Sequence, residues 1–251
     1  MELITNLPVL AAILATFLLA GLVKGVIGLG LPTIAMGLLG MVIAPAEAAA
    51  LLVLPSLVTN IWQLMDGPKL GPLLRRLAPM QVAVAVGTLL GLWAGLLPGK
   101  GGATAGLGAA LLAYAAFGLL PLRLPQVPPR AEAWAGPLVG LLTGLVTAAT
   151  GVFVLPAVPY LQALGLERDR LVQALGISFT VSTLGLAAGL ASGGGFGGGA
   201  LGGSVLALLP ALAGMALGGR LRGLVSASTF RRCFFLGLLI LGAHLLWQGL
   251  H

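Results

Sequence analysis

Charged residues are scarce in this sequence of 251 residues. Aspartate, glutamate, lysine and arginine make up 8% of the chain, whereas 59% of its residues are hydrophobic. A soluble domain of this length cannot cover its surface with so few charges and stay in solution. A lipid bilayer is the solvent that suits this composition. The sequence therefore predicts an integral membrane protein with no separate soluble domain.

Cysteine and histidine are also nearly absent. The chain has one cysteine, Cys233, and two histidines, His244 and His251. A single cysteine excludes an intrachain disulfide. A membrane-embedded enzyme or a metal site would require a cluster of His, Asp, Glu or Cys at one depth. We therefore expect no enzymatic activity, no metal and no cofactor.

Uncharged apolar runs that are long enough to cross a bilayer recur along the whole chain. A spanning helix takes roughly 20 apolar residues. Helices are expected because backbone polar groups in lipid must be hydrogen-bonded within the segment. Ordinary single spans are predicted at residues 46–65, 78–97, 101–120, 171–191, 200–219 and 230–250.

Two further apolar stretches, 7–43 and 134–164, are each too long for one crossing and contain helix-breaking residues. The interruptions are Lys24-Gly25, Gly28–Pro32, Gly151, Pro156 and Pro159. Glycine frees the backbone and proline removes a hydrogen-bond donor. Each stretch is therefore predicted to form a helix, a break and a returning half-helix. The sequence leaves open whether these segments are re-entrant or cross fully.

The basic residues favour one topology. If each broken stretch leaves and returns to the same side, 11 of the 13 basic residues fall on that side, Lys100 on the other, and Lys24 within the membrane. If each stretch were a single crossing, the same loops would divide almost evenly. Basic loops are cytoplasmic, so both termini are predicted to lie outside. The net charge of +7 then marks orientation and not nucleic-acid binding.

The two halves of the chain acquire opposite orientations in this topology, which defines an inverted-topology repeat. Residues 1–120 form the first membrane repeat, 121–133 a cytoplasmic linker, and 134–251 the second, inverted repeat. Several residues align between the halves at equal spacing. The aligned sets are Gly21–Gly25 with Gly140–Gly144, and Glu47, Ser56 and Asn60 with Asp169, Ser178 and Ser182.

Lys24 is the first candidate for a functional site. Repeats of this kind bind substrate near the membrane midplane, where the broken helices meet. An ionisable side chain at that depth is costly and indicates function. No Asp or Glu lies inside a predicted span apart from Glu47 and Asp169 near helix starts, so an anion would supply the missing counter-charge. Alternatively, Lys24 snorkels to a headgroup or bonds backbone carbonyls freed by the break.

Backbone and hydroxyl groups complete the predicted anion site. A broken helix exposes N–H groups that bind anions, and Gly28 and Gly30 allow the backbone to approach the ligand. Ser56 and Asn60 share a helical face, and Ser178 and Ser182 are their counterparts in the second half. The alternative for each hydroxyl is a bond within its own helix or to a neighbouring helix.

The glycine and proline patterns resemble a known family. The run Ala20–Pro32 resembles the first signature of the TauE/SafE sulfite exporter family, also called the toluenesulfonate uptake permease family, and Pro45–Asn60 fits the same family. The second signature is resembled by Gly140–Gly144, Pro156–Leu161 and Leu171–Ser178. The resemblance implies a multi-pass transporter of the bacterial inner membrane. It implies substrates such as sulfite, sulfonates, sulfoacetate or other small organic anions.

One departure from the family pattern affects the second break. Many members carry a glycine triplet in both signatures. Here the first reads Gly-Leu-Gly at 28–30, and the second keeps Gly151 alone. The second backbone site is therefore expected either to be tighter or to rely on Thr147 and Thr150.

Together these features predict an all-α, polytopic secondary transporter of a small anion, with sulfite or an organosulfonate as the expected substrate. Access would alternate as the two halves rock. No ATP-binding motif is present, so a proton gradient or the anion's own gradient would drive transport. A transporter or channel for another small anion and an accessory subunit remain alternatives, and a homo-oligomer is left open. The predicted site residues are Lys24, Gly28, Gly30, Ser56, Asn60, Thr147, Thr150, Ser178 and Ser182.

Overall fold

The architecture comes from a computed structural model that describes residues 6–65, 67, 70–96, 102–120, 124–192, 200–224 and 226–251. Within these ranges the protein has ten α-helices and no strand. They are α1 (Leu7–Ile27), α2 (Leu31–Leu39), α3 (Pro45–Met65), α4 (Leu70–Trp93), α5 (Ala103–Leu119), α6 (Pro129–Thr150), α7 (Ala157–Ala163), α8 (Arg168–Ser192), α9 (Ala200–Leu221) and α10 (Ala227–Leu250). Lys69, Lys100 and Arg123, which entered the charge argument, lie outside these ranges.

Seven of the described helices are long and apolar enough to cross a membrane: α1, α3, α4, α6, α8, α9 and α10. Helix α5 is apolar but has only 17 residues. The all-helical, membrane-type composition predicted from the sequence is therefore confirmed. Each predicted single span contains one helix.

Two helices extend beyond their predicted apolar spans. Helix α4 begins at residue 70 instead of 78, and α6 begins at residue 129, inside the predicted linker. Both extensions contain charged residues, which interrupt the apolar runs used to predict the spans. They are joined by a bidentate ion pair in which the Arg76 guanidinium donates to the two carboxylate oxygens of Glu132 at 2.8 and 2.6 Å.

The first broken stretch contains α1 and α2. Helix α1 ends at Gly28, whose φ is 78° and whose N–H donates to the Lys24 carbonyl at 2.8 Å. Gly30, with a φ of 107°, precedes α2. Both angles lie in the left-handed region that favours glycine. The helix break is therefore dictated locally by the Gly-Leu-Gly sequence.

The second broken stretch contains α6 and α7. Helix α6 ends at Gly151, whose φ is 70°. Residues 152–154 then run as irregular chain before α7, and their side chains are fully buried. The ring of Phe153 packs against Phe179 of α8, with centroids 5.3 Å apart. This break is therefore enclosed by apolar side chains.

The largest helix contacts join the first five helices to the last five. Helix α1 packs along α9, α4 along α6, α5 along α10 and α3 along α8. Helix α3 also packs on α9, and α4 packs on α8. The two halves of the chain are therefore interlocked.

Glycines bring the paired helices into backbone contact. A Cβ added to Gly21 or Gly25 of α1 would overlap the carbonyl oxygen of Ala211 or Met215 on α9. On α6, Gly140 and Gly144 stand in the same relation to the carbonyls of Met80 and Val84 on α4. Small residues allow this close approach of apolar helices. The α1–α9 and α4–α6 pairs thus use the same contact at the same four-residue spacing.

Candidate functional site

Lys24 lies in the last turn of α1 and is buried, with 2% of its surface exposed. Its ammonium donates to Oγ1 of Thr59, at 3.1 Å, and to Oδ1 of Asn60. Both partners are neutral and lie on α3. An ammonium has three N–H donors, so one remains available. In the described part of the chain, no carboxylate pairs with Lys24.

The partners of Lys24 are oriented by their own helices. Thr59 donates its hydroxyl hydrogen to the Pro55 carbonyl at 2.7 Å, so its oxygen is free to accept from Lys24. The Asn60 amide nitrogen donates to Ser56 Oγ at 3.1 Å. Asn60 therefore presents its carbonyl oxygen to the ammonium. The predicted Ser56–Asn60 face and Lys24 are brought together.

The same network reaches α8 through Thr183. Its hydroxyl donates to the Phe179 carbonyl at 2.6 Å, and Ser56 Oγ lies 3.1 Å from Thr183 Oγ1. Since the Thr183 hydrogen is already used, Ser56 donates to Thr183. Thr183 connects the two halves of the chain at the level of Lys24.

Pro55 shapes α3 at this level. Proline has no N–H, so the Leu51 carbonyl loses its intrahelical donor. Ser204 of α9 replaces it, because its hydroxyl donates to Leu51 O at 2.9 Å and accepts from Leu54 N at 3.2 Å. Ser204 was not predicted from the sequence; a serine within an apolar span, in a chain that also has a mid-helix proline, is the signal that could have identified it.

Gln63 joins the first break to the Lys24 network. It is buried one turn beyond Asn60 on α3, and its amide nitrogen donates to the Gly28 carbonyl at 3.0 Å. Its own carbonyl oxygen has no hydrogen-bond partner among the described residues. Gly30 precedes α2 without a side-chain cap, so the first N–H groups of α2 lack intrahelical partners.

Ser178 and Ser182 are fully buried on α8, and neither hydroxyl has a hydrogen-bond partner within the described residues. They differ in this respect from their counterparts Ser56 and Asn60. Leaving a buried hydroxyl unsatisfied costs about 1–3 kcal/mol. Such groups indicate a bound water or ligand. Gln81 of α4, which the sequence argument did not single out, has a buried amide with the same property.

Thr147 and Thr150 are separate from this network. Their hydroxyls donate to the carbonyls of Thr143 and Val146 in the same helix, each at 2.7 Å. Thr150 also accepts from Val152 N at 3.1 Å, which caps the end of α6. No hydrogen bond among the described residues joins either threonine to Lys24. These bonds fit the alternative given for each hydroxyl, in which it bonds a carbonyl of its own helix.

The contacts of the two breaks differ. Gly28 faces Gln63 and Val172, whereas Gly151 packs on the side chain of Met36 in α2, since a Cβ on Gly151 would lie 2.8 Å from Met36 Cε. The Lys24 network adjoins the first break, where Gln63 donates to the Gly28 carbonyl.

Arg222, which follows α9, caps the end of α1. Its guanidinium donates to the Gly25 carbonyl at 2.7 Å and to the Val26 carbonyl at 3.1 Å. A basic side chain stabilises the negative end of a helix dipole and its unpaired carbonyls. In the sequence Arg222 was counted only as a loop charge; its contact with α1 follows from the packing of α1 on α9.

Within the described part of the chain, seven helices are long and apolar enough to cross a membrane, and a buried lysine has no carboxylate partner. These features are typical of a multi-pass membrane protein. The family model for the sulfite exporters TauE/SafE matches residues 13–245, and the chain belongs to this family. The resemblance of the two signatures is thereby confirmed, together with the class of membrane transport protein. Neither a curated protein nor a solved structure matches the chain.

Proposed function

We propose that the protein is a secondary transporter that moves sulfite or an organosulfonate across the bacterial inner membrane, with Lys24 as the anion-binding side chain. The observation that carries this proposal is the buried ammonium with two neutral partners and one spare donor. Family membership supports the class of substrate.

The energetics of Lys24 support an anion as its partner. A buried charge without a counter-ion is strongly unfavourable, and its desolvation costs several kcal/mol. Hydrogen bonds to Thr59 and Asn60 offset part of this cost but add no opposite charge. A sulfite or sulfonate oxygen beside Lys24 would provide both the charge and an acceptor for the third N–H.

Neighbouring groups would complete the site. The unsatisfied hydroxyls of Ser178 and Ser182 can donate to further anion oxygens, and the N–H groups at Gly30 and the start of α2 add partial positive charge. Ser56 and Asn60 position the ammonium. Thr147 and Thr150 would contribute only after a rearrangement that frees their hydroxyls from α6.

Alternating access is best supported as a motion of helix pairs. The inverted repeat of residues 1–120 and 134–251 is supported by the equivalent α1–α9 and α4–α6 contacts. Because each pair contains one helix from each half, a rocking body would combine helices of both halves. This differs from simple rocking of the two sequence halves. A proton gradient or the anion's own gradient would supply the energy.

The test is uptake of ³⁵S-labelled sulfite and ¹⁴C-labelled p-toluenesulfonate into proteoliposomes, with and without a pH gradient. Wild type is compared with Lys24→Gln and with the control Thr88→Val, which changes a buried threonine of α4. We expect saturable uptake that falls at least about tenfold in Lys24→Gln, since a charge-assisted bond contributes about 1.5–3 kcal/mol.

Two results would count against the proposal in different ways. If uptake is saturable and unchanged in Lys24→Gln, the protein is a transporter but Lys24 does not bind the anion. If folded wild-type protein moved neither anion under either gradient, the proposed substrate class would be wrong. Uptake that rises linearly without saturation would indicate a channel.

A further inference from the structure

A cavity of about 400 Å³ lies at the first break and is lined by residues on both sides of Gly28. Its walls include Val26 and Ile27 at the end of α1 and Val172 on α8. Its volume is within the range of sites for small organic ligands. An ion as small as sulfite would fill only a fraction of it.

Three arginines from different helices or loops converge on this cavity: Arg168 at the start of α8, Arg222 after α9 and Arg231 in the first turns of α10. All three are exposed, so the cavity reaches the protein surface. Among the described residues the ion pair joins Arg76 to Glu132, and no carboxylate forms an ion pair with Arg168, Arg222 or Arg231. Glu167 and Asp169 flank Arg168 in the chain, but the cavity lining itself contains three arginines and no carboxylate. Its positive charge attracts anions.

Apart from Gln162, the rest of the lining is apolar. Leu171, Leu175 and Phe235 supply hydrophobic surface, and the Arg231 guanidinium lies 5.6 Å from the centre of the Phe235 ring. Cationic groups at the mouth and hydrocarbon walls match a molecule with an anionic head and an apolar body. An alkyl- or arylsulfonate has this form, whereas an inorganic anion would leave the apolar walls wet.

The cavity lies beside the end of the helix that carries Lys24. Val172 lines the cavity and faces Gly28, whose carbonyl accepts from Gln63. Gln63 lies one turn from Asn60, which binds Lys24. A ligand in the cavity that displaced the Gln63–Gly28 hydrogen bond would reach the Lys24 network directly, and the free Gln63 amide could donate to it.

We propose that this cavity is an entry site in which organic sulfonates bind to Arg168, Arg222 and Arg231 before they pass the Gln63–Gly28 contact. The inference rests on the proposed anion transport and adds a second binding site, at the protein surface on the side predicted to be cytoplasmic, with a preference for anions that carry an apolar group. Sulfite alone would gain the electrostatic attraction without the apolar contact.

Thiol modification tests the cavity independently of transport. Leu171→Cys is introduced into a Cys233→Ala background in phosphatidylcholine nanodiscs. The protein is treated with the anionic reagent 2-sulfonatoethyl methanethiosulfonate or its cationic trimethylammonioethyl analogue. Each rate is divided by the rate of the same reagent with a free thiol in solution. On this scale we expect the anionic reagent to react at least about tenfold faster than the cationic one. Benzenesulfonate should slow the reaction in a saturable manner.

Neighbouring arginines provide matched controls. Arg168→Gln with Arg231→Gln should abolish both the preference for the anionic reagent and the protection. Arg170→Gln with Arg232→Gln removes the same charge from exposed residues outside the cavity lining and should leave both effects. Equal losses in the two double variants would show a general surface field and overturn the site. A normalised rate ratio near one in the Leu171→Cys protein would also overturn it.

Two further arms separate the possible ligands and the two proposals. If benzenesulfonate protects in phosphatidylcholine but not after phosphatidylglycerol is added, the cavity holds a lipid headgroup and the entry site is wrong. Lys24→Gln should lose uptake but keep the protection. The double variant Arg168→Gln with Arg231→Gln separates the two proposals. If its uptake of p-toluenesulfonate still depends on Lys24 and has an unchanged KM, the entry site is wrong and the transport proposal stands.

Discussion

Lys24 is held by neutral groups, and this has a consequence for stability as well as for binding. An anion that binds the folded protein and not the unfolded chain stabilises the fold by mass action. The effect depends on the ammonium, because Thr59 and Asn60 offer no positive charge of their own.

The first prediction therefore concerns ligand-dependent unfolding. Sulfite or p-toluenesulfonate at about 100 times its Kd should raise the free energy of unfolding by about 2.7 kcal/mol, seen as an increase in Tm in detergent. Lys24→Gln should show no increase, whereas Arg232→Gln, which changes an exposed arginine, should respond as wild type does. Equal shifts in Lys24→Gln and wild type would contradict a role for Lys24 in binding.

A second prediction concerns the pair formed by Pro55 and Ser204. Ser204→Ala should lower the free energy of unfolding by about 1–3 kcal/mol, because the Leu51 carbonyl would be buried without a donor. In a Pro55→Ala background the new N–H can bond Leu51, so the same serine substitution should cost much less. Unfolding in mixed detergent and sodium dodecyl sulfate micelles measures this double-mutant cycle. Equal costs in both backgrounds would show that proline does not create the role of Ser204.

At the scale of helices, the contacts of α9 with α1 predict different effects for two adjacent glycines. A Cβ on Gly218 would overlap the Leu22 carbonyl, whereas a Cβ on Gly219 would meet no atom within 4 Å. Gly218→Ala should therefore destabilise by about 1–3 kcal/mol through overpacking. Gly219→Ala should stabilise by up to about 1 kcal/mol through helix propensity. The same micelle unfolding assay measures both; a Gly218→Ala protein as stable as wild type would show that α1 and α9 can separate freely.

The helices were largely predictable from the sequence, whereas their partners were not. Apolar runs and glycine breaks are local features, so α3, α8 and the ends of α1 and α6 follow from residue type. Helices that are apolar on every side carry little information on which face packs inward. The contact of Arg222 with α1 and of Ser204 with α3 depend on that packing, and both were missed.

The candidate site was predictable to the same extent. Lys24, Ser56 and Asn60 were selected by rarity and spacing, and they lie together in the structure. Thr147 and Thr150 were selected by proximity to a break, but their hydroxyls bond within α6. Sequence position beside a break does not tell a ligand-binding hydroxyl from one that caps its own helix, because both are short polar groups near freed carbonyls.

At the scale of the whole molecule, the orientation in the membrane remains a prediction with a direct test. Arg130→Cys and His251→Cys in a Cys233→Ala background lie at exposed positions of the described chain. An impermeant maleimide should label His251→Cys on intact cells and Arg130→Cys only after permeabilisation, because basic loops are retained in the cytoplasm. Labelling of both positions on intact cells would contradict the topology.

The close glycine contacts between α1 and α9 and between α4 and α6 also limit how the gene can be divided. A polypeptide of helices α1–α5 alone would expose the backbone surfaces that α6, α9 and α10 cover. Each fragment would then enter the bilayer without its main packing partners. Two fragments cut within residues 124–128 should accumulate only when they are produced in the same cell. Under the proposed inverted repeat, an ancestral single-repeat protein would have needed to insert in both directions and pair with its own inverted copy.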